Sequence, residues 1–458
     1  MHLRKTLLAF SFGSFGGLAY AEPASQEFLP LTRKDNAQAA SLGLLEGQTL
    51  GGTTRNWYGN ELGRRDTRFS YDKHGVATDT SRRINWVQGT IVKYESGFTQ
   101  GTVGISTELA VYNAVALNRS RRDIAGGDHF RTLTDDEGEA VGQWSKLGLG
   151  NIKARVSNTT LTAGRQNLNT PMVASSGNRA LPSSFQGVAL NSAEFDNLSF
   201  DMGTFDRVSP RSEQGLSQFT SEYGNRNVSA DHVNTLGVNY QPLKSLTASL
   251  YATQAQDLWN QYYFGAVHQL GDNDVLGLTT SLNYYKTKNQ GKSLLGPIDN
   301  NTYSLAFTGT HKAHSVTLAY QQVNGNEYFD YLHETNGIFL ANSLFSDFNG
   351  PNEKSLQLAY GLNMAEYGAP GLKFDAYHAR GWGIDGTHYK GTGYSGVTAM
   401  NGESHYEYGI GMSYAMQSGT FKDTTVRATY ATHRASANQA DGNLNEFRFV
   451  TTVPFNIL

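Results

Sequence analysis

Cysteine is absent from the 458 residues, which excludes disulfide staples and cysteine-ligated metal sites and fits passage through an oxidising periplasm. An excess of charge of one sign is lacking too: 37 Lys and Arg stand against 40 Asp and Glu, a net of −3. No global field argues for nucleic acid or for an acidic partner. Past residue 21, no stretch approaches the ~18 consecutive apolar residues that a membrane helix needs. What remains is a soluble fold or a membrane barrel. A mean hydropathy of −0.45 does not exclude the barrel, because only alternate residues of its strands meet lipid.

Glycine and aromatic residues are abundant, with 50 Gly and 12% Phe, Trp and Tyr. Aromatics at this level suit the girdles that a barrel carries at its two membrane interfaces. The first 21 residues, with Arg4 and Lys5, a short apolar run and Ala19-Tyr20-Ala21, read as a secretory signal with an A-x-A cleavage site. Residues 22–48 show no period and read as a flexible lead-in, and residues 49–458 as one barrel channel domain. At about 24 residues per strand plus connection, residues 22–458 make roughly eighteen strands. A barrel of that size holds water unless loops fold into it.

Alternation carries the fold class: an all-β, transmembrane, antiparallel β-barrel. At the C-terminal end, Phe447, Phe449, Thr451, Val453, Phe455 and Ile457 share one face of an extended strand, while Arg448, Thr452 and Asn456 share the other. Ile84, Trp86, Val92 and Tyr94 oppose Arg83, Asn85, Lys93 and Glu95. Tyr408, Ile410, Met412, Tyr414 and Met416 oppose Gly409, Gly411, Ser413, Ala415 and Gln417. One greasy and one wet face per strand suit a wall between lipid and water, where closure removes the unpaired edge. By the same parity Arg83, Arg427 and Arg448 point into water. Arg380 shares parity with Leu372 and Phe374, so it faces the lumen only if a bulge intervenes. The connections are of two kinds: short turns, read at residues 286–292 and 419–423, and long loops, read at residues 118–139 and 324–352.

Catalytic and cofactor motifs fail on their context. Gly381-Trp382-Gly383-Ile384-Asp385-Gly386 matches G-x-G-x-x-G but is followed by loop-like Thr387-His388-Tyr389 rather than a helix. Gly291-Lys292-Ser293 lacks the earlier glycine of a P-loop, and no G-x-S-x-G or H-E-x-x-H occurs. The acidic run Asp135, Asp136, Glu137 and Glu139 offers hard oxygen ligands of the kind Ca²⁺ takes, but a solvated loop is the better reading.

Several stretches resemble the OprD (porin D) family of outer-membrane, substrate-specific channels: YESGFTQGTVG at Tyr94 to Gly104, LWNQYY at Leu258 to Tyr263, FLANSLFSDFNGP at Phe339 to Pro351, and the tail from Asn445. The resemblance implies an eighteen-stranded barrel in the bacterial outer membrane, monomeric or in a loose homotrimer, with long extracellular loops, some folded inward to narrow the pore. It implies constriction residues at Arg179, Tyr223, Tyr331, Ser343 and Asp347, and a lumen arginine ladder that includes Arg83, Arg427 and Arg448. It thins that ladder, with Glu61, Ser413 and Thr429 at positions where the family carries bases. The implied partners are small water-soluble carboxylate solutes and outer-membrane lipid, with no cofactor, no metal and no enzymatic activity. A barrel hydrolase and a plugged, adhesive barrel are the alternatives.

Overall fold

A computed structural model of the chain describes residues 36–73, 76–120, 122–123, 133–136 and 139–458. The signal segment, residues 22–35 of the lead-in, and Glu137 of the acidic run lie outside them. Twenty strands follow in order: β1 Thr49–Gly63, β2 Phe69–Lys73, β3 Val76–Thr80, β4 Arg82–Glu95, β5 Val103–Ala116, β6 Gln143–Val156, β7 Thr159–Gln166, β8 Ser184–Phe195, β9 Leu198–Ser209 and β10 Val233–Leu243. There follow β11 Leu246–Ala255, β12 Trp259–Asp272, β13 Leu276–Asn289, β14 Asp299–His311, β15 His314–Asn324, β16 Lys354–Asn363, β17 Leu372–Asp385, β18 Asn401–Ala415, β19 Thr425–Ala435 and β20 Leu444–Asn456.

Eighteen of them form one antiparallel sheet, from which only the β2–β3 hairpin stands apart. Each wall strand pairs with its neighbour in sequence, β1 passing over the hairpin to β4. The sheet closes where β1 pairs β20 from Gly51↔Asn456 to Gly63↔Leu444. Closure leaves no row of unpaired peptide groups for hydrocarbon to meet.

The outward faces are the apolar faces read from the sequence. On β18, Tyr406, Tyr408, Ile410, Met412 and Tyr414 are exposed and their odd-numbered neighbours to Gly411 are buried, an aromatic–aliphatic–aromatic belt of the kind a bilayer requires. Met416 lies past the strand end. Tyr58 packs edge-on against Trp86 and Phe447 on three adjoining strands. Arg380 is exposed and sits between Leu356 and Tyr406 in unbroken register; the nearest bulge falls after Trp382, so Arg380 belongs to the outer face.

Successive connections alternate between the two ends of the barrel, and the longest of them open on the same end, which is the extracellular end by the usual asymmetry of such barrels. The connections at that end are L1 (64–81), L2 (117–142), L3 (167–183), L4 (210–232), the short L5 (256–258), L6 (290–298), L7 (325–353), L8 (386–400) and L9 (436–443). Residues 286–289 are strand, and the connection after them belongs to the long-loop end. Lys286 and Lys288 continue the outer parity of β13, on a ribbon that extends toward the loop end, where lysine is tolerated. The G-x-G-x-x-G stretch is the bulged end of β17, with Gly383 at φ 74°. Residues 36–48 are held at the periplasmic end, where Gln38 Nε2 donates to the carbonyls of Thr99 and Gly101.

Inside, the barrel is lopsided. Along β8 to β14 the wall is covered by a dry aromatic cluster that includes Phe185, Phe205, Phe219, Trp259, Tyr263, Tyr285 and Phe329, contributed by wall strands and by L3, L4 and L7. Inward tyrosines explain part of the glycine content: a Cβ on Gly237 would lie 2.0 Å from the Tyr251 ring, and one on Gly409 the same from Tyr377. The tyrosines therefore lie across bare backbone on the neighbouring strand, a use of aromatics beyond the interface girdles. A second apolar cluster, with Trp57, Val87, Tyr112, Trp144 and Leu181, lies against β1, β4, β5 and β6, while nearer the periplasmic end Lys93 and Glu95 remain 33% and 32% accessible although they face inward.

Candidate functional site

The arginine-bearing side of the interior is β19, β20, β1 and β4, which are contiguous. On β1 the inward positions are Arg55, Trp57, Gly59 and Glu61. Across β20 and β19, Trp57 is level with Val450 and Arg427; Gly59 is level with Arg448; and Glu61 is level with Arg83 on β4. Arg55, Arg427, Arg448 and Arg83 thus occupy four successive inward rows, each roughly 6.8 Å above the last along the strand. They rise from the periplasmic side toward the loops.

Each guanidinium is engaged. Arg83 Nε donates to Glu61 at 2.6 Å, and its guanidinium lies over the Phe69 ring, 4.3 Å from the centroid. Arg448 Nε donates to Glu446 at 2.6 Å, and Arg427 lies 3.4 Å from Asp375. Arg55 donates to the carbonyls of Gly177 and Arg179 at 2.8 and 3.0 Å, so it carries L3. Parity could have found Arg55, two residues before Trp57 on the same face; the acidic partners could not be paired from sequence. Lower down, Lys93 and Lys153 meet Glu95 and Glu108, with Lys153–Glu95 at 2.7 Å and Lys93–Glu108 at 2.5 Å.

L3, L4 and L7 fold into the barrel and pack on one another. L7 is laced between the other two by antiparallel bridges, Ser175↔Thr335 and Ser221↔Leu332. Wall side chains hold it in place: Gln261 donates to the Asp330 carbonyl, and Gln321 donates to the carbonyls of Asp347 and Phe348.

Four of the five constriction residues implied by the resemblance converge. The carboxylate of Asp347 accepts from Tyr223 at 2.6 Å, Tyr331 at 2.8 Å and Ser343. Burial pushes this carboxyl up, and the three hydroxyls only partly offset it. The fifth, Arg179, is in a different set. It donates to Ser212 Oγ at 2.8 Å and lies 3.7 Å from Glu334.

Glu334 is the buried hub of L7, and sequence reasoning missed it. Its carboxylate accepts from Arg211 Nε at 2.7 Å and Nη2 at 3.0 Å, and from the Arg211 amide at 2.8 Å. Burial alone would raise this carboxyl, but Arg211 and then Arg179 outweigh it and hold it well below the usual range. Arg211 also reaches Ser176 and Asn178 of L3. The chain of charges continues through His333 to Glu222, which hydrogen-bonds His333 and pairs with Arg226 at 3.1 Å. Burial opposes that carboxylate, but the His333 bond and neighbouring cations bring it down to about 2. Asp330 accepts from Ser221 Oγ and from the amides of Tyr223 and Tyr331, yet burial pushes it up to about 6.

A closed barrel with a lipid-facing belt, a charged lumen and loops folded into its mouth defines an outer-membrane porin. The model for "outer membrane porin, OprD family" matches residues 42–457. Porin D of Pseudomonas aeruginosa is 36% identical over 434 residues, covering 92% of this chain and 94% of that one. The porin-like protein GalP of Pseudomonas putida is 27% identical over 429 residues, covering 92% and 95%. The crystal structure of Pseudomonas aeruginosa OccD3 (OpdP) superposes with a TM-score of 0.81 at 46% identity, covering 93% of this chain and 95% of that one. The chain belongs to the OprD family of outer-membrane porins, and the relatives it matches are channels.

Proposed function

We propose that the protein mediates passive, facilitated diffusion of small carboxylate-bearing solutes, such as amino acids or aromatic and other organic acids. The observation that carries this reading is the run of Arg55, Arg427, Arg448 and Arg83 in successive inward rows of four contiguous strands. Guanidinium stays charged and offers a planar fork to a carboxylate. Several weak sites pass an ion onward better than one deep trap. Because Glu61, Glu446 and Asp375 partly compensate the row, attraction at each step is shallow. Arg179 and Asp347 stand at the narrowing as the cationic and acidic groups that would orient a zwitterion, carboxylate toward Arg179 and amine toward Asp347.

Single-channel recording with a panel of amino acids and organic acids tests the proposal. Arg179→Ala is expected to raise ion conductance and to weaken solute-induced block; currents and block unchanged from the parent would remove Arg179 from the path. Liposomes that fail to swell in any of these solutes would overturn the transport reading.

A further inference from the structure

The geometry points to a binding site for a zinc-like divalent cation formed by His405, His433 and Asp441, where β18, β19 and L9 meet against the end of L7. Their donor atoms lie within 4.8 Å of one another, and both rings are buried.

The hydrogen bonds around the two rings set the argument. His405 Nε2 faces Glu353 Oε1 at 2.5 Å, and the other oxygen of that carboxylate already accepts from the Gly350 amide. His433 Nδ1 faces the Gly442 carbonyl at 2.7 Å. Both partners only accept, so each neutral ring spends its single N–H outward. The two remaining nitrogens, Nδ1 of His405 and Nε2 of His433, face each other 2.7 Å apart, a distance that either a proton on one ring or a metal ion between them sustains. Two lone pairs do not rest at that distance without positive charge between or beside them.

A divalent ion supplies the charge and uses every group present. Imidazoles that bind metal give their second nitrogen to a carboxylate or a carbonyl, which is the arrangement of Glu353 and Gly442. Two imidazole nitrogens and a carboxylate suit zinc, leaving a fourth position for water. Nitrogen ligands on one tetrahedral zinc stand ~3.3 Å apart, so the rings need open only slightly. Glu353 and His405 Nε2 pack against the bare backbone of Gly381, where a Cβ would lie 1.9 and 2.5 Å from them, so the carboxylate–imidazole pair is held in place from the neighbouring strand.

Such an ion would fix L7. Asp441 Oδ2 accepts from Ser346 Oγ at 2.6 Å, and Glu407 accepts from the amides of Phe345 and Ser346. Ser346 precedes Asp347, so a metal on Asp441 would pin the turn that carries the Asp347 carboxylate. Binding of the ion does not depend on which solute the pore passes.

The full barrel, purified in detergent and freed of metal with a chelator, is titrated calorimetrically with zinc chloride. One equivalent per barrel is expected, with X-ray absorption showing two imidazole nitrogens in the first shell. His433→Ala should weaken binding ~100-fold and Asp441→Asn ~10-fold, whereas His388→Ala on L8 should leave it unchanged. Heat-modifiable migration on a gel reports folding, and Asp441→Asn carries the test if His433→Ala does not fold. No saturable equivalent would mean that the rings share a proton, and overturns the site. So would binding that survives His433→Ala and Asp441→Asn, which places zinc elsewhere.

Discussion

The Tyr223 hydroxyl donates to Asp347 at 2.6 Å, joining L4 to L7 between residues 124 apart in sequence. Tyr331 donates to the same oxygen from within L7. A single carboxylate thus ties two inward-folded loops together, and two of its three hydroxyl donors are phenols.

Removing those phenols singly and together measures the tie. Tyr223→Phe and Tyr331→Phe each delete one donor to a buried acceptor, worth about 1–2 kcal/mol. The double variant should lose more than the sum, because Asp347 would keep only Ser343 among its side-chain donors named here. The frequency of brief conductance excursions, compared across the four proteins of the cycle, checks this.

Arg211→Met takes from Glu334 its two-pronged partner in the packed junction of L3, L4 and L7 and leaves it the more distant Arg179. Breaking a buried pair from one side costs about 3–5 kcal/mol, so the variant should show protease cuts in L4 or L7 and noisier, larger currents. Adding Glu334→Met should recover part of the loss, since the buried carboxylate that lost its two-pronged partner is then gone.

Asp330 makes the L4–L7 junction sensitive to pH. Its carboxyl sits at about 6 against an ordinary 3.8, so the packed junction binds the proton more tightly than an opened one. Packing is therefore penalised above pH ~6, gains as pH falls through that value, and holds the full gain below ~3.8, an effect of up to about 3 kcal/mol. Current noise should fall between pH 7 and pH 5 in the parent protein. Asp330→Asn should lose most of that slope.

Glu61→Gln leaves Arg83 without its compensating carboxylate in the uppermost row. Reversal potentials in a salt gradient should shift toward anion selectivity, with total conductance little changed. A shift toward cations would contradict the inward placement of Arg83.

Much of the wall was legible because side-chain parity is a local signal. The faces of β18 and β20, the inward Arg83, Arg427 and Arg448, and the number of strands all follow from period two and chain length. The phenol–carboxylate knot around Asp347 was reachable only through family motifs. Arg211 and Glu334 left no trace, since they meet across 123 residues on loops that have no period. The same holds for Glu353 and His405, 52 residues apart. The aromatic content suggested interface girdles, but Tyr112, Tyr251 and Tyr285 are buried inside, and only the cross-strand register shows which glycines lie beneath such rings.

The seam between β1 and β20 sets the order of assembly. The staves it joins are separated by nearly the whole polypeptide, so every other hairpin can zip to its sequence neighbour before this pairing forms. Until then both margins are open to foreign strands, and a lesion in either would be felt as failed insertion long before it was felt as altered permeation.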